Sequence, residues 1–257
     1  MNILITNDDG IYAHGIYAIA KEALEYGNVF VVAPDSEKSA IGHAITMHTP
    51  LKAREMNFHG LDSVKAYAVN GTPADCVKLG IEAILKDVNI DIVISGINNG
   101  SNLGTDVVYS GTVSAAMEGF ILNKPSIAIS YDGRDISPDE YKRVAEKAMD
   151  FIQNNIESDS MFKDTVTNIN FPNMNGKDIK GYKLTRLGIR KYENAFEERR
   201  DPRGNIYYWM GGSIRSVIQD PNSDISAVEQ GYVSVTPLKS DLTNYEKMEK
   251  IADLFKE

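Results

Sequence analysis

Apolar positions along this chain fall into short unbroken runs that alternate with stretches where they recur every three or four residues. Ile3-Leu4-Ile5, Val29 to Ala33, Ile90 to Ser95 and Ser126 to Ser130 are of the first kind. Too short for helices and apolar at consecutive positions, they predict strands buried on both faces, as in the middle of a parallel sheet. Between them come helical periods. Ile16, Ile19, Ala20, Ala23 and Leu24 form one apolar face, closed by Gly27. Ala74, Val77, Ile81, Ile84 and Leu85 form the next, opened by Thr72 as N-cap and Pro73 at the first helical position. Val113, Ala116, Met117, Phe120 and Ile121 form a third, and Val144, Ala145, Ala148, Phe151 and Ile152 a fourth within Asp139 to Asn154. Strands alternating with helices predict an α/β fold: a Rossmann-like doubly wound, mostly parallel sheet with right-handed crossovers.

Other stretches depart from this rhythm. Ile45 to Ala53 alternates loosely and predicts an extended arm paired with Val64 to Val69, before the turn signal Asn70-Gly71. Val166 to Asn170, Tyr182 to Leu187 and Tyr232 to Thr236 predict further strands. Thr243 to Phe255 predicts a last helix with Tyr245, Met248, Ala252 and Phe255 turned inward. Gly188 to Ile218 is charged and aromatic, with Tyr207-Tyr208-Trp209 just after Pro202-Arg203-Gly204-Asn205. It predicts a long hairpin that either packs its aromatics on another subunit or folds back on its own chain. The expected organisation is a single α/β domain of residues 1–187 and 231–257, from which a hairpin of residues 188–218 projects.

Composition narrows the function. The 257 residues suffice for a substantial core. With 36 acidic and 27 basic residues the formal net charge is -9, which argues against binding nucleic-acid polymers and means an anionic substrate needs a local cation. The single cysteine, Cys76, excludes an intramolecular disulfide and reads as a small core residue. No charged leader precedes an apolar stretch and no apolar run reaches membrane-spanning length, so a cytoplasmic protein without a membrane partner is expected.

Three predicted strands end in polar loops. The first ends in Asn7-Asp8-Asp9-Gly10, which is either a metal site at a strand's carboxyl end or a solvated acidic turn. The second is followed by Ser39, and the third by Asn98 in a run with Gly96, Gly100 and Gly104. If these ends converge, Asp8, Asp9, Ser39 and Asn98 make an all-oxygen ligand set suited to Mg²⁺ or Mn²⁺ rather than Zn²⁺. Ser110-Gly111-Thr112 opens a helix, which is either an ordinary serine cap or an anion site whose free N–H groups hold a phosphate. Gly111 would let the backbone approach that phosphate and Thr112 would add a hydroxyl donor, so Gly111→Val is expected to weaken phosphate binding and spare the metal. Neither a Gly-x-Gly-x-x-Gly turn after the first strand nor a P-loop occurs, and the four histidines lack metal-ligand spacing, although His43 lies within reach of the Ser39 loop. A divalent cation beside an anion-binding helix start suits hydrolysis of a phosphate ester, the cation lowering the pKa of a water and an aspartate taking its proton.

The motifs, in order, are similar to those of the SurE family of stationary-phase survival proteins, metal-dependent nucleotidases. They are Asn7-Asp8-Asp9-Gly10, Val32-Ala33-Pro34-Asp35 with Ser39, Asn70-Gly71-Thr72-Pro73-Ala74-Asp75-Cys76, Ser95-Gly96-Ile97-Asn98, and Tyr109-Ser110-Gly111-Thr112-Val113 through Glu118-Gly119. The likeness runs on through Asp201-Pro202-Arg203-Gly204-Asn205, Tyr208-Trp209 and Gly231 to Leu238. The resemblance implies a Rossmann-like fold and one divalent ion per subunit on Asp8, Asp9, Ser39 and Asn98. It also implies phosphate contacts at Ser110, Gly111 and Thr112, and catalytic roles for Asp8, Asp9 and Asn98. The implied substrates are 5′- or 3′-nucleoside monophosphates and short polyphosphate, and the implied assembly is a homodimer or homotetramer with exchanged C-terminal elements. Ala40 stands where the family usually has glycine, His43 where a small polar residue is frequent, and Ser223-Asp224 where Thr-Asp is common. Two competing functions are a phosphatase that forms an aspartyl-phosphate on Asp8 and a non-catalytic, metal-dependent nucleotide-binding protein.

Overall fold

The computed structural model describes residues 1–133, 136–156, 162–174, 176–194, 196–215 and 217–255. Seven strands come first: β1 (Asn2–Thr6), β2 (Asn28–Pro34), β3 (Ala53–Met56), β4 (Lys65–Val69), β5 (Ile92–Asn99), β6 (Ser126–Tyr131) and β7 (Val166–Phe171). The short β8 (Tyr182–Leu184) follows. Four hairpin strands come next: β9 (Lys191–Glu193), β10 (Phe196–Arg200), β11 (Ile206–Met210) and β12 (Ser213–Arg215). The last strand is β13 (Val233–Leu238). Nine of them form one sheet in the order β3-β4-β2-β1-β5-β6-β7-β13-β8. From β4 to β7 every neighbouring pair is parallel, while β3 and β13 run antiparallel to β4 and β7. Counted along the chain, the six parallel strands stand in the order 3-2-1-4-5-6, so the direction of growth reverses between β1 and β5. In such sheets ligands bind outside the carboxyl ends of the strands at that reversal.

The consecutive apolar residues of β1 are explained by its central place. Ile3 and Ile5 face one cluster, with Ile16 and Ile19 of α1 (His14–Ala23) and Val144 and Ile152 of the later helix Pro138–Asn155. Leu4 faces the other, with Cys76 and Val77 of α2 (Pro73–Leu79) and Ala115 of α3 (Gly111–Ile121). Helix Pro138–Asn155 is α4. Thr72 caps α2 as its sequence suggests: its hydroxyl accepts from the Asp75 N–H (3.0 Å), and its own N–H donates to the Asp75 carboxylate (2.9 Å).

Four expectations need correction. The arm Ile45 to Ala53 is irregular until Ala53, and the strand that pairs with β4 is β3, at the arm's far end. The intervening chain is held by side chains instead. Thr72 donates to the Ala44 carbonyl (2.7 Å), Thr46 donates twice to Asp75, and the Lys52 N–H donates to Asn70 Oδ1 (2.7 Å). β5 does not stop at Ser95 but runs to Asn99 across a register break between Ser95 and Asn98. Gly96 makes this passage possible, because a Cβ there would lie 2.4 Å from the Ile129 carbonyl oxygen. β8 is half the length expected, and a short helix α5 (Asp224–Glu229), capped by Ser223, was not foreseen. The last helix, α6 (Tyr245–Ile251), leads into a 3₁₀ turn at Ala252–Phe255, but none of its residues is buried. Its expected inward face is bare, with Tyr245 60% and Phe255 78% exposed.

The stretch 188–218 is a two-stranded ribbon, apart from residues 195 and 216, which lie outside the described ones. β9 pairs with β12 and β10 with β11, both antiparallel, and all residues of the four strands are exposed. Its tip is a turn in which Asp201 accepts from the N–H groups of Arg203 and Asn205. The ribbon does not fold back: Trp209 is 59% and Phe196 63% exposed. Among the described residues no helix is long and apolar enough to cross a membrane.

Candidate active site

The carboxyl ends of β1 and β5 bring Asp8 and Asp9 beside the Asn98-Asn99 stretch, without Ser39. Asp8, just past β1, is buried, and its Oδ1 accepts a hydrogen bond from the Thr112 hydroxyl at 2.5 Å. Asp9 is half-buried, and its Oδ2 accepts from the Asn99 N–H (3.1 Å), next to Asn98. The Asn98 side-chain amide nitrogen donates to the Gly100 carbonyl (2.7 Å), which fixes the amide and leaves Oδ1 as the free branch. The loop after β2 reaches the same place through backbone contacts. Ile11 N–H donates to the Pro34 carbonyl (2.8 Å) and Lys38 N–H to the Asp8 carbonyl (2.7 Å). Ser39, one residue on, is exposed, and its hydroxyl donates to Glu37 (2.7 Å) rather than touching either aspartate.

Burial governs the electrostatics. It pushes the Asp8 carboxyl up from 3.8 to about 6; the Thr112 hydrogen bond pulls the other way, and the charge of Asp9 adds to the rise. Asp9 is likewise raised, first by burial and then by the charge of Glu37, while the Asn99 N–H opposes it. Among the described residues no lysine, arginine or histidine forms an ion pair with Asp8 or Asp9. Three buried polar side-chain atoms without a hydrogen-bond partner lie at these strand ends: Thr6 Oγ1, Asn7 Oδ1 and Ser95 Oγ. Two desolvated carboxylates side by side, unpaired, with spare oxygen acceptors around them, fit a hard divalent cation. The donor set is oxygen throughout, and no three His, Cys, Asp or Glu side chains converge as ligands among the described residues.

The start of α3 lies against Asp8, and Ser110 takes the first of its two readings. Ser110 is a cap, accepting from the Val113 N–H at 3.0 Å. The Thr112 hydroxyl is committed to Asp8 and is not a spare donor for an anion. Gly111 is required, but by the aspartate: a Cβ there would lie 2.8 Å from Asp8 Cβ and 2.9 Å from its Oδ2. A side chain at 111 would therefore press on Asp8 itself, so the expectation that Gly111→Val leaves the acid pair undisturbed does not fit this packing. The N–H groups of Gly111 and Thr112 open the first turn, where helix geometry leaves them without an intrahelical acceptor, and they stand beside the acid pair.

Two residues that support the site went unread. Arg190, at the foot of the ribbon, pairs with Asp106 (2.9 Å), donates to Ser101 (3.1 Å), and is only 14% exposed in its side chain. Asp224 accepts from the Gly104 N–H and the Gly188 N–H, each at 2.8 Å. Together they fasten the loop after β5 to the foot of the ribbon. Asp224 lies in the Ser223-Asp224 motif, a signal that could have found it; nothing near Arg190 in the sequence points to Asp106.

Comparison with known proteins places the chain in a family. The family profile described as Survival protein SurE matches residues 3–194. A 5′-nucleotidase SurE of Alkaliphilus metalliredigens is 51% identical over 254 residues, covering 99% of this chain and 98% of its own. A second, from Syntrophomonas wolfei, is 48% identical over 255 residues, covering 99% and 95%. The crystal structure of the SurE protein from Aquifex aeolicus superposes with a TM-score of 0.85 at 41% identity over the whole of both chains. The chain, with its acid pair at the reversal of a 3-2-1-4-5-6 sheet, belongs to the SurE family.

Proposed function

We propose that this protein hydrolyses nucleoside monophosphates to nucleoside and phosphate with a divalent cation held by Asp8, Asp9, Ser39 and Asn98. Nucleotidase activity is supported by the full-length similarity to 5′-nucleotidase SurE proteins. The observation that carries the site assignment is the acid pair, Asp8 buried and Asp9 half-buried, with no cationic side chain among the described residues paired to it, set against the first turn of α3. A divalent ion bound there supplies charge neutralisation at a phosphoryl oxygen and a lowered pKa for water, the two things a phosphomonoester needs.

The chain's own residues do the rest. Asp8 and Asp9 bring two negative charges that only a cation offsets, and Asn98 adds a neutral oxygen fixed by Gly100. The Gly111 N–H at the helix start would hold a phosphoryl oxygen with the partial positive charge of the first turn, while the Thr112 N–H and hydroxyl both bear on Asp8. One aspartate accepts the proton of the attacking water. Ser39, whose hydroxyl donates to Glu37, would have to give up that contact to serve as a ligand.

The finer assignments belong to the same proposal. The ion is Mg²⁺ or Mn²⁺, one per subunit, because the donors are hard oxygens. The assembly is a homodimer or homotetramer, because the ribbon and α6 expose aromatic faces with no cover from their own chain. Phosphate release from a panel of 5′- and 3′-monophosphates and short polyphosphate, with Mn²⁺, with Mg²⁺ and with chelator, tests it. Release from monophosphates only when a cation is present is the expected result; binding of nucleotide without any release contradicts it.

A further inference from the structure

Before residue 182, six large apolar side chains are exposed among the described residues: Tyr12, Ile45, Met47, Val108, Tyr109 and Ile121. Five of these six lie on the segments that follow β1, β2 and β5, at the carboxyl end of the parallel strands. Exposed apolar residues scattered over a surface need no explanation, but a collar of them at one end of the sheet does. The Tyr12 hydroxyl accepts from Arg54 at 3.3 Å, and its ring is edge-on to His59 at 6.3 Å. The segments after β2 and β5 are joined to each other. The Gly42 N–H donates to the Tyr109 carbonyl (2.9 Å), tying the loop after β2 to the residue that precedes the α3 cap. Tyr109 is 64% exposed and stands two residues from Gly111, which abuts Asp8.

We infer that Tyr109 is the stacking platform for the nucleobase of the substrate, with Val108 and the Ile45–Met47 arm as its apolar flank. The inference rests on the nucleotidase reading. A phosphate seated at the first turn of α3 fixes one end of a nucleotide, and the nucleoside then extends past the residues that lead into that turn. An aromatic ring is the surface a base needs, since every base has a π-face and stacking tolerates differences in sequence. A π-face with an apolar flank favours nucleotides as a class over one base.

The test compares AMP with ribose 5-phosphate, which offers the same phosphate ester without a base, on the parent, Tyr109→Phe and Tyr109→Ala. Tyr109→Ala is expected to raise KM for AMP about tenfold while kcat/KM for ribose 5-phosphate stays within about twofold, and Tyr109→Phe is expected to match the parent. Calorimetric binding of AMP to the same proteins should weaken in parallel. Equal losses on both substrates, no loss on either, or a parent that binds the two alike would overturn the assignment. So would a lower mass of Tyr109→Ala by light scattering, which would make the collar a contact between copies. A parent that releases no phosphate from AMP would count against the nucleotidase reading, and the AMP calorimetry would then decide the platform by itself.

Discussion

At the scale of residues, the site is a buried charge problem. Asp8 has a folded-state pKa of about 6 against 3.8 when unfolded. A raised carboxyl stabilises the folded protein below about pH 4, and that contribution is lost as pH rises through 6, since ionised Asp8 is costly in its desolvated position. Two units correspond to about 3 kcal/mol lost by pH 7.5 in cation-free protein. Asp8→Asn keeps the shape and the Thr112 contact without the charge. In chelator it is expected to unfold at a higher temperature than the parent at pH 7.5, with the gap closing toward pH 4; a gap independent of pH would refute the burial argument. Gly111→Ala is the second residue-scale case. Its Cβ would press on Asp8, so calorimetry should show cation and phosphate binding lost together, and an undisturbed cation affinity would place Asp8 outside the cation site. Asp8, Asp9 and Asn98 were legible because each follows an apolar run, and strand ends are where α/β sheets bind ligands. The role of Thr112 was not, because its hydroxyl is claimed by a residue 104 positions away.

At the scale of elements, the Ser39 loop is held at a distance from Ser39 itself. Glu118, buried on α3, is contacted by His43 from that loop (2.9 Å) and by Lys78 from α2 (3.2 Å). The His43 hydrogen bond foremost, then Lys78, hold its carboxyl below the usual range although burial pushes the other way. Glu118→Ala removes the His43 tether and leaves the loop fixed by its other contacts, among them those of Lys38, Gly42, Ala44, Thr46 and Lys52. The Mn²⁺ concentration for half-maximal activity is expected to rise about tenfold, with partial rescue by Glu118→Gln, because hydrogen bonds to charged groups contribute about 1.5–3 kcal/mol. An unchanged Mn²⁺ requirement would separate this tether from Ser39. The elements also show where periodicity stops informing. Runs buried on both faces declare themselves, so β1, β2 and β6 lie where expected, and β4 and β7 fall on the extended stretches foreseen for them. The arm before β3 has no ladder of its own and is shaped by Thr72, Asp75 and Asn70, which no local pattern reveals. α6 has the apolar spacing of a packed helix, and spacing says that a face must be covered without saying by what.

At the scale of the whole molecule, the ribbon and the site share a foundation. Arg190 and Asp224 join the foot of the ribbon to the loop after β5. Arg190→Ala would strand Asp106, 17% exposed in its side chain, and should cost about 3 kcal/mol in urea unfolding, since breaking a largely buried pair leaves an uncompensated charge. Arg190→Lys should not restore it, because a single ammonium cannot reach Asp106 and Ser101 together as the guanidinium does. A stability equal to that of the parent would detach the ribbon from the site loop. Deleting residues 191–215 is expected to lower the mass in solution from a multiple of 28.4 kDa or to leave the protein insoluble, and a multimer of unchanged order would mean the bare aromatics have another use. The proposed hydrolysis turns on the acid pair at the β1–β5 reversal. Its most direct test is phosphate release from AMP by the parent and by Asp9→Asn at buffered Mn²⁺, with circular dichroism to confirm that both are folded. Release by the parent that vanishes in chelator, and is absent from folded Asp9→Asn at every Mn²⁺ concentration, is the expected result. Release by Asp9→Asn at the parent rate, or by the parent in chelator, would contradict it.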